Sequence, residues 1–392
     1  VTVAEAPAAD RSAAGVPETA ASDAAGSAAR RPLRVLFLPD YGRGNPYQRE
    51  LARELGSHGI TVIGAKAPKR DPLGVLSSWW HARRPHVVHL HWTHPYLGQR
   101  ATGRHARWRT ARAALFVAQL MMLRLLRVRI IWTLHNLGIH EERADERLNV
   151  AIHRQLVRNA GAVIAHCEAA VRAAVDTYHL GDRDARKLRV IPHGNYVDVY
   201  GALVERAVAR AQLNVPEDVR LFVFIGGARA YKGITELIEA IRALPSDTNA
   251  RLIVAGRAFD QAEADTIREA AGDDDRITLR LEFIPDEDLP VLLGAADAVA
   301  LPFRDILTSG SAILAMSYGR PVIAPSLGCL PETLPADGNL LYDPDDAGGL
   351  RWALWRALTA DLDSLGAQNL EGAKALDWAG IAESTARVYR GE

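Results

Sequence analysis

Residues 301–324, Leu-Pro-Phe-Arg-Asp-Ile-Leu-Thr-Ser-Gly-Ser-Ala-Ile-Leu-Ala-Met-Ser-Tyr-Gly-Arg-Pro-Val-Ile-Ala, read in order as a strand end, a loop, a helix, a tight turn and the next strand. The apolar run Ala298–Leu301 stops at Pro302, a helical run covers Ala312–Tyr318, Gly319 takes the C-terminal cap and Val322–Ile323 opens a new strand. A strand that feeds a helix and then a second strand commits the chain to a parallel sheet covered by helices. Thr308-Ser309-Gly310-Ser311 at the helix start adds a chemical constraint. The first amides of a helix lack intrahelical acceptors, and the positive end of the dipole lies there, so this turn suits a phosphate or another anion. An ordinary N-cap by Thr308 or Ser309 is the plain alternative.

The same grammar runs through the chain. In the first half, Leu33–Pro39, Gly59–Ile63, Pro85–His91, Arg127–Thr133, Gly161–His166 and Val190–Asn195 are short apolar runs that alternate with helical or polar segments. The loop Asp40–Tyr47 contains glycine but no dinucleotide fingerprint, and in a doubly wound unit it lies at the ligand crevice. His135, Asn136, His140 and Glu141 gather on the loop after the fourth run. In the second half, Val219–Ile225 opens a new unit, followed by Arg251–Gly256, Ile277–Phe283 and Ala298–Leu301. Its first loop, Gly226-Gly227-Ala228-Arg229-Ala230-Tyr231-Lys232-Gly233, offers glycines for close backbone approach and two cations, Arg229 and Lys232, to neutralise a diphosphate. The 226–233 and 308–311 loops both follow strands, so they are expected to face one crevice.

Charge is balanced overall, with 47 basic and 47 acidic residues, which argues against a general polyanion binder. It is lopsided locally. No Asp or Glu occurs between Asp71 and Glu141, an interval with ten arginines and interleaved Trp79, Trp80, Trp92, Tyr96 and Trp108. Such a basic, aromatic stretch with an apolar helical middle suits an anionic membrane surface; a core helix with solvated arginines is the alternative. Cys167 and Cys329 are far apart and in no metal-ligand spacing, which argues against a disulfide and suits two small buried residues in a reducing compartment. Residues 1–31 are rich in Ala, Ser, Asp and Pro and read as a disordered lead without a signal-peptide core. No run approaches the roughly 18 apolar residues of a membrane span.

Taken together, Phe224–Gly233 with Glu236–Ala240, Leu252–Gly256, Ala295–Val299, Ala315–Ile323 and the closing Trp378–Tyr389 resemble the nucleotide-sugar-dependent glycosyltransferases of the broad family-four type. The resemblance covers residues 33–390 and is most specific in the second half. It implies an α/β chain of GT-B fold, with two Rossmann-like doubly wound domains facing a central cleft. The domains are expected at 32–200 for the acceptor and 201–375 for the nucleotide sugar, with a helix at 376–392 crossing back to the first. It implies a hexosyltransferase that needs neither cofactor nor metal and moves a hexose from a nucleoside diphosphate sugar to a glycan, lipid-linked or small-molecule acceptor. The form is similar to a type associated with bacterial polysaccharide and glycolipid assembly; a cytoplasmic protein is expected, peripheral on the inner face of the membrane through its 100–129 basic region, and with no binding motif beside the arginines no nucleic-acid partner is expected.

Where retaining members carry a pair of glutamates, this sequence has Ile306 and Leu314. Donor contacts are therefore expected from Gly226, Gly227, Arg229, Lys232, Asp305, Thr308, Ser309, Gly310, Ser311 and Glu332. Tyr41, Asn45, His94 and Asn136 are the acceptor-side candidates. An inverting reaction needs a general base, for which His135, Glu141 and Asp40 are the first-half candidates. A retaining one would use a donor phosphate as base, with His135 near the sugar. A nucleotide-sugar epimerase on the same fold, or a non-catalytic nucleotide-sugar-binding module, is the alternative reading.

Overall fold

The apolar runs of both halves become strands of two all-parallel, six-stranded sheets. The computed structural model describes residues 32–42, 46–66, 71–97, 106–138 and 146–392, the side chains of 106–108 excepted. The lead at 1–31, Asn45 and Glu141 lie outside the described residues. Residues Leu33–Glu392 form one unit holding both sheets.

The first sheet contains β1 (Leu33–Leu38), β2 (Ile60–Gly64), β3 (Val87–Leu90), β4 (Arg129–Thr133), β5 (Ala162–Ala165) and β6 (Leu188–Val190). Its helices are α1 (Pro46–Ser57), α2 (Gly74–His81), α3 (His94–Leu97), α4 (Ala106–Leu125), α5 (Glu146–Asn159), α6 (Glu168–Tyr178) and α7 (Asp182–Ala185). The order β2-β1-β3-β4-β5-β6 reverses direction between β1 and β3, with Val35 in register with Val62 on one side and Val87 on the other.

After α8 (Arg206–Leu213), the second sheet contains β7 (Arg220–Ile225), β8 (Ala250–Ala255), β9 (Ile277–Arg280), β10 (Ala298–Ala300), β11 (Val322–Pro325) and β12 (Leu340–Tyr342). They are connected by α9 (Ile234–Arg242), α10 (Gln261–Ala271), α11 (Leu289–Ala295), α12 (Gly310–Ser317) and α13 (Leu330–Thr333). Then α14 (Gly349–Thr359), α15 (Leu362–Ala375) and α16 (Trp378–Arg390) close the chain. The order β12-β11-β10-β7-β8-β9 puts the reversal between β7 and β10. In such sheets ligands bind outside the carboxyl ends of the strands at the reversal. The loops 226–233 and 301–309 occupy that place.

Helices cover both faces, so the strands are continuously apolar: Phe222, Val223 and Phe224 are all fully buried. The helices show the complementary pattern. Ile234, Leu237, Ile238 and Ile241 of α9 are buried at helical spacing, while Glu239 and Arg242 face water. α16 packs against α1, putting Trp378, Ile381 and Tyr389 into one core with Val35 and Phe37. His89 of β3 sits inside that core, its ring nitrogens bonded to the Tyr389 hydroxyl at 2.6 Å and to Thr133 Oγ1 at 2.7 Å.

The cysteine expectation is overturned. Cys167 and Cys329 form a disulfide across 162 residues of chain, joining the start of α6 to the loop after β11. Strand ends at one edge bring distant residues together irrespective of sequence spacing, which spacing rules for metals cannot register. With the pair bonded, the inference of a reducing compartment loses its basis.

One buried charge anchors the second half. The Arg210 guanidinium, fully buried, donates to Asp297 Oδ2 at 2.8 Å and to the carbonyls of Ala295, Pro216, Glu217 and Val219. Asp297 also accepts from the Leu221 amide at 2.6 Å and from Arg206, so α8, β7 and the turn into β10 share one carboxylate. Removing one member leaves the other charge buried and unpaired. Asp297→Ala is expected to cost about 3–5 kcal/mol in denaturant unfolding; a loss well under 1 kcal/mol would contradict this anchoring role.

Candidate active site

The loop after β7 turns at Gly226, whose φ of 138° is a glycine conformation. A Cβ there would also stand 3.0 Å from Ser311 Oγ, so the bare backbone lets the first loop lie against the start of α12. At the far end of that loop Gly233 has φ 70°, and a Cβ would sit 1.9 Å from the Pro302 carbonyl oxygen. The loop is thereby held against the segment after β10, with the Arg304 amide donating to the Tyr231 carbonyl at 2.8 Å. Between the two glycines, the Arg229 guanidinium lies 4.4 Å over the Phe259 ring. The Lys232 ammonium lies 4.4 Å over Phe303 and 5.3 Å from the Tyr231 ring centre. Burial, and then the field of Arg229, pull the Lys232 pKa down to about 8. An anion entering here would be met by two cations and the mouth of α12, where Ser309 Oγ accepts the Ala312 amide at 3.1 Å. The ordinary N-cap expected of Ser309 is thus present, and it leaves the amides of Gly310 and Ser311 without an intrahelical acceptor.

The opposing wall comes from the first sheet. Four strands in succession are followed at their carboxyl ends by histidines: His91 after β3, His135 after β4, His166 after β5 and His193 after β6. Their rings form a chain. His91 Nδ1 and His135 Nε2 are 3.4 Å apart, His135 and His166 have centroids 5.4 Å apart, and His166 and His193 5.3 Å apart. Tyr47 of α1 packs against all four, and Trp92 stacks on His135 at 4.6 Å. Burial first, then repulsion from the other imidazoles, holds His91 and His135 well below the ordinary histidine range. Burial also lowers His166 to about 4 and His193 to about 3. The imidazoles are therefore neutral at neutral pH and able to accept a hydrogen bond. Among the described residues, Nε2 of His91 and Nε2 of His166 are buried with no partner. The assembly reaches the other wall through Tyr196, whose hydroxyl is 3.4 Å from His193 Nε2 and as close to where a Cβ on Gly310 would be.

Residues 219–360 match the family described as glycosyl transferases group 1. The group 1 domain match thus runs from β7 to α14. The chain is 29% identical over 249 residues to the D-inositol 3-phosphate glycosyltransferase of Corynebacterium glutamicum (strain R), covering 60% of this chain and 58% of that one. It is 28% identical over 241 residues to the GDP-mannose:glycolipid 4-beta-D-mannosyltransferase of Xanthomonas campestris pv. campestris, covering 61% of each. These matches span about three-fifths of each relative. In fold it is similar to the sucrose-phosphate synthase of Thermosynechococcus elongatus, with a TM-score of 0.69 at 22% identity over 92% of this chain and 98% of that one. It is equally similar to Anabaena HepE in complex with UDP, with a TM-score of 0.69 at 19% identity over 92% and 100%. The architecture is GT-B.

Within this GT-B frame the predicted residues divide. Gly226, Gly227, Arg229, Lys232, Thr308, Ser309, Gly310 and Ser311 of the group 1 domain lie on the two neighbouring loops at the β7/β10 reversal. Asp305 is exposed on the same segment, near enough to Tyr231 to raise its pKa, after burial and against Arg229. For His94, on the first half, burial and then the Arg229 field lower the pKa. Tyr41 packs on Trp92 at 5.2 Å and so joins His135 through that ring; Asn136 follows His135, partly exposed. Asp40 Oδ1 accepts the Gly42 amide at 2.7 Å, and its carboxylate fills the space beside Gly64. Glu332 is exposed and bonded to the first half. Its two oxygens accept the Glu168 and Ala169 amides, each at 2.8 Å, and Arg172 is 3.2 Å away, so it caps α6 of the first half. A carboxylate at a helix N-terminus is stabilised by the dipole. His91, His166, His193 and Tyr47 were not among the predicted site residues. Their signal was a histidine just past each of four strands.

The neutral imidazoles tie stability to pH. Their folded pKa values lie below the ordinary 6.5, so the unfolded chain takes up protons that the native one refuses. Stability from this source is complete above about 6.5 and is lost as pH falls toward about 4, where His166 titrates. Denaturant midpoints measured across that window are expected to fall with uptake of more than one proton. A flat profile would mean that the rings are not held neutral.

Proposed function

We propose that the chain transfers a hexose from a nucleoside diphosphate sugar to an acceptor hydroxyl presented from the first half, at a membrane face. The observation that carries this reading is the approach of the Gly226–Gly233 loop to the start of α12, with Arg229 and Lys232 between. Arg229, Lys232, Thr308 and the amides of Gly310 and Ser311 hold the diphosphate, and the two cations stabilise the charge that a divalent metal would otherwise meet. As the bond from the anomeric carbon to the diphosphate breaks, its electron pair stays on the phosphate oxygen. The acceptor oxygen bonds to that carbon and its proton leaves to a neighbouring base. Asp40 is the described carboxylate on this side able to take that proton, and the neutral His135, on which burial penalises a proton, is the group beside the sugar if the departing phosphate takes it. His94, Tyr41 and Asn136 line the acceptor side. The names of the relatives, which act on an inositol phosphate and on a glycolipid, support a phosphorylated or lipid-borne acceptor.

Calorimetry with UDP-, GDP- and dTDP-sugars tests the donor. Lys232→Ala is expected to weaken the preferred donor by about 1.5–3 kcal/mol, the worth of a charge-assisted hydrogen bond. In the parent protein the affinity should fall as pH rises through about 8, where Lys232 loses its proton, and that inflection should vanish in the variant. Unchanged affinity in Lys232→Ala would remove the diphosphate role.

A further inference from the structure

One tie between the two halves is the chain itself, which crosses from β6 to α8 and returns between α15 and α16. The crossings are bonded to each other. The Asn195 amide donates to the Leu376 carbonyl at 3.0 Å, and Asn195 Nδ2 donates to the Ala373 carbonyl at 2.9 Å. Trp378 Nε1 donates to the Asn195 carbonyl at 2.8 Å. Short segments held side by side between two packed bodies have the form of a hinge.

A second tie surrounds the Cys167–Cys329 bond. Leu307 and Cys329, both from the second half, are buried in the core of the first. The Cys329 amide donates to the Leu307 carbonyl at 2.8 Å, and Cys329 Sγ is 3.8 Å from Thr308 Oγ1. A Cβ on Gly328 would stand 2.3 Å from the Ile306 carbonyl oxygen, so the cysteine segment lies flat on the loop that leads into α12. On the other side Cys167 directly follows His166 and opens α6, where its Sγ accepts the Ala170 amide at 3.2 Å. The bond thus joins the Thr308 loop of one wall to the histidine chain of the other. Both cysteines are buried, but Glu168, Pro331 and Glu332 close by in the chain are exposed.

We infer that Cys167–Cys329 is a site of thiol–disulfide exchange with a dithiol reductant, and that its cleavage frees the two walls to part about the chain crossings. A thiolate of the dithiol attacks Cys329 Sγ. The bond between the cysteines breaks, and its electron pair goes to the Cys167 sulfur, where the helix dipole and the Ala170 amide stabilise an anion. The second thiol of the reductant then attacks the mixed disulfide, the Cys329 sulfur leaves with the electron pair, and the reductant departs as its own cyclic disulfide. The dithiol is oxidised, the cysteine pair is reduced, and the two protons of the dithiol are left for the two cysteine sulfurs. Cleavage also weakens the rest of this tie. An ionised Cys167 and the Glu332 carboxylate share one helix start and repel each other. With the bond formed, the walls keep the spacing described above; with it cut, a nucleotide between them leaves more readily. The inference rests on the proposed function only in taking a nucleotide as its reporter; the exchange itself needs none.

Amide hydrogen exchange and nucleotide release test it on the full chain, in oxidised and in reduced dithiothreitol. Thiol titration is expected to find no free thiol in the first state and both cysteines free in the second. On reduction the Glu168 and Ala169 amides, which Glu332 holds across the tie, should exchange about fivefold faster or more. Whichever of UDP, GDP and dTDP binds should dissociate faster by about the same factor, the lower end of ordinary coupling between sites. Cys167→Ser with Cys329→Ala, the serine keeping the cap of α6, should behave as the reduced parent does in either state. Thiols that stay free in oxidised dithiothreitol, or nucleotide release that is the same in both states, would overturn the inference. So would an unfolding midpoint lowered by reduction with neither rate changed, since the bond would then serve stability alone. Faster exchange at Glu168 and Ala169 with no nucleotide bound in either state would instead count against the glycosyl-transfer reading alone.

Discussion

Parallel strands deliver every following loop to the same edge, and this chain depends on that geometry twice. In the second sheet the reversal between β7 and β10 lets two loops of quite different sequence meet, and the bare backbone of Gly226 against Ser311 is the point of contact. In the first sheet the same rule gathers His91, His135, His166 and His193, separated by tens of residues, into one chain of rings. Neither assembly would exist in a sheet whose strands alternated in direction.

The two walls obey opposite electrostatics. The donor wall concentrates positive charge and partly desolvates it, so that Lys232 holds its proton less firmly than a solvated lysine. The histidine wall concentrates groups that refuse charge, because burial and mutual repulsion both penalise a proton on any of them. A diphosphate is attracted to the first. A neutral hydroxyl can approach the second without displacing a counter-ion. The difference suits a reaction in which negative charge grows on one partner and a proton leaves the other.

Much of this architecture was legible in the amino-acid order. Continuous runs such as Leu-Phe-Val-Phe-Ile admit few structures other than a strand covered on both faces, and the loops Gly226–Gly233 and Thr308–Ser311 advertise their anion chemistry through residue type alone. What escaped detection was whatever depends on which distant ends meet. Single histidines past successive strands form no local pattern. Cys167 and Cys329 carried no spacing signal, and Glu332 looked free until the start of α6 came to lie over it. Local periodicity reports elements; only the folded topology reports neighbours.

The bond between Cys167 and Cys329 has a mechanical meaning for a protein built of two sheets around a ligand. It staples the root of α6 to the segment after β11, and the carboxylate of Glu332 grips the same helix a few residues on. With that corner fixed, separation of the two walls is reduced from free translation to swivelling about a pivot. Any opening of the walls would then be widest at the side farthest from the sulfur atoms.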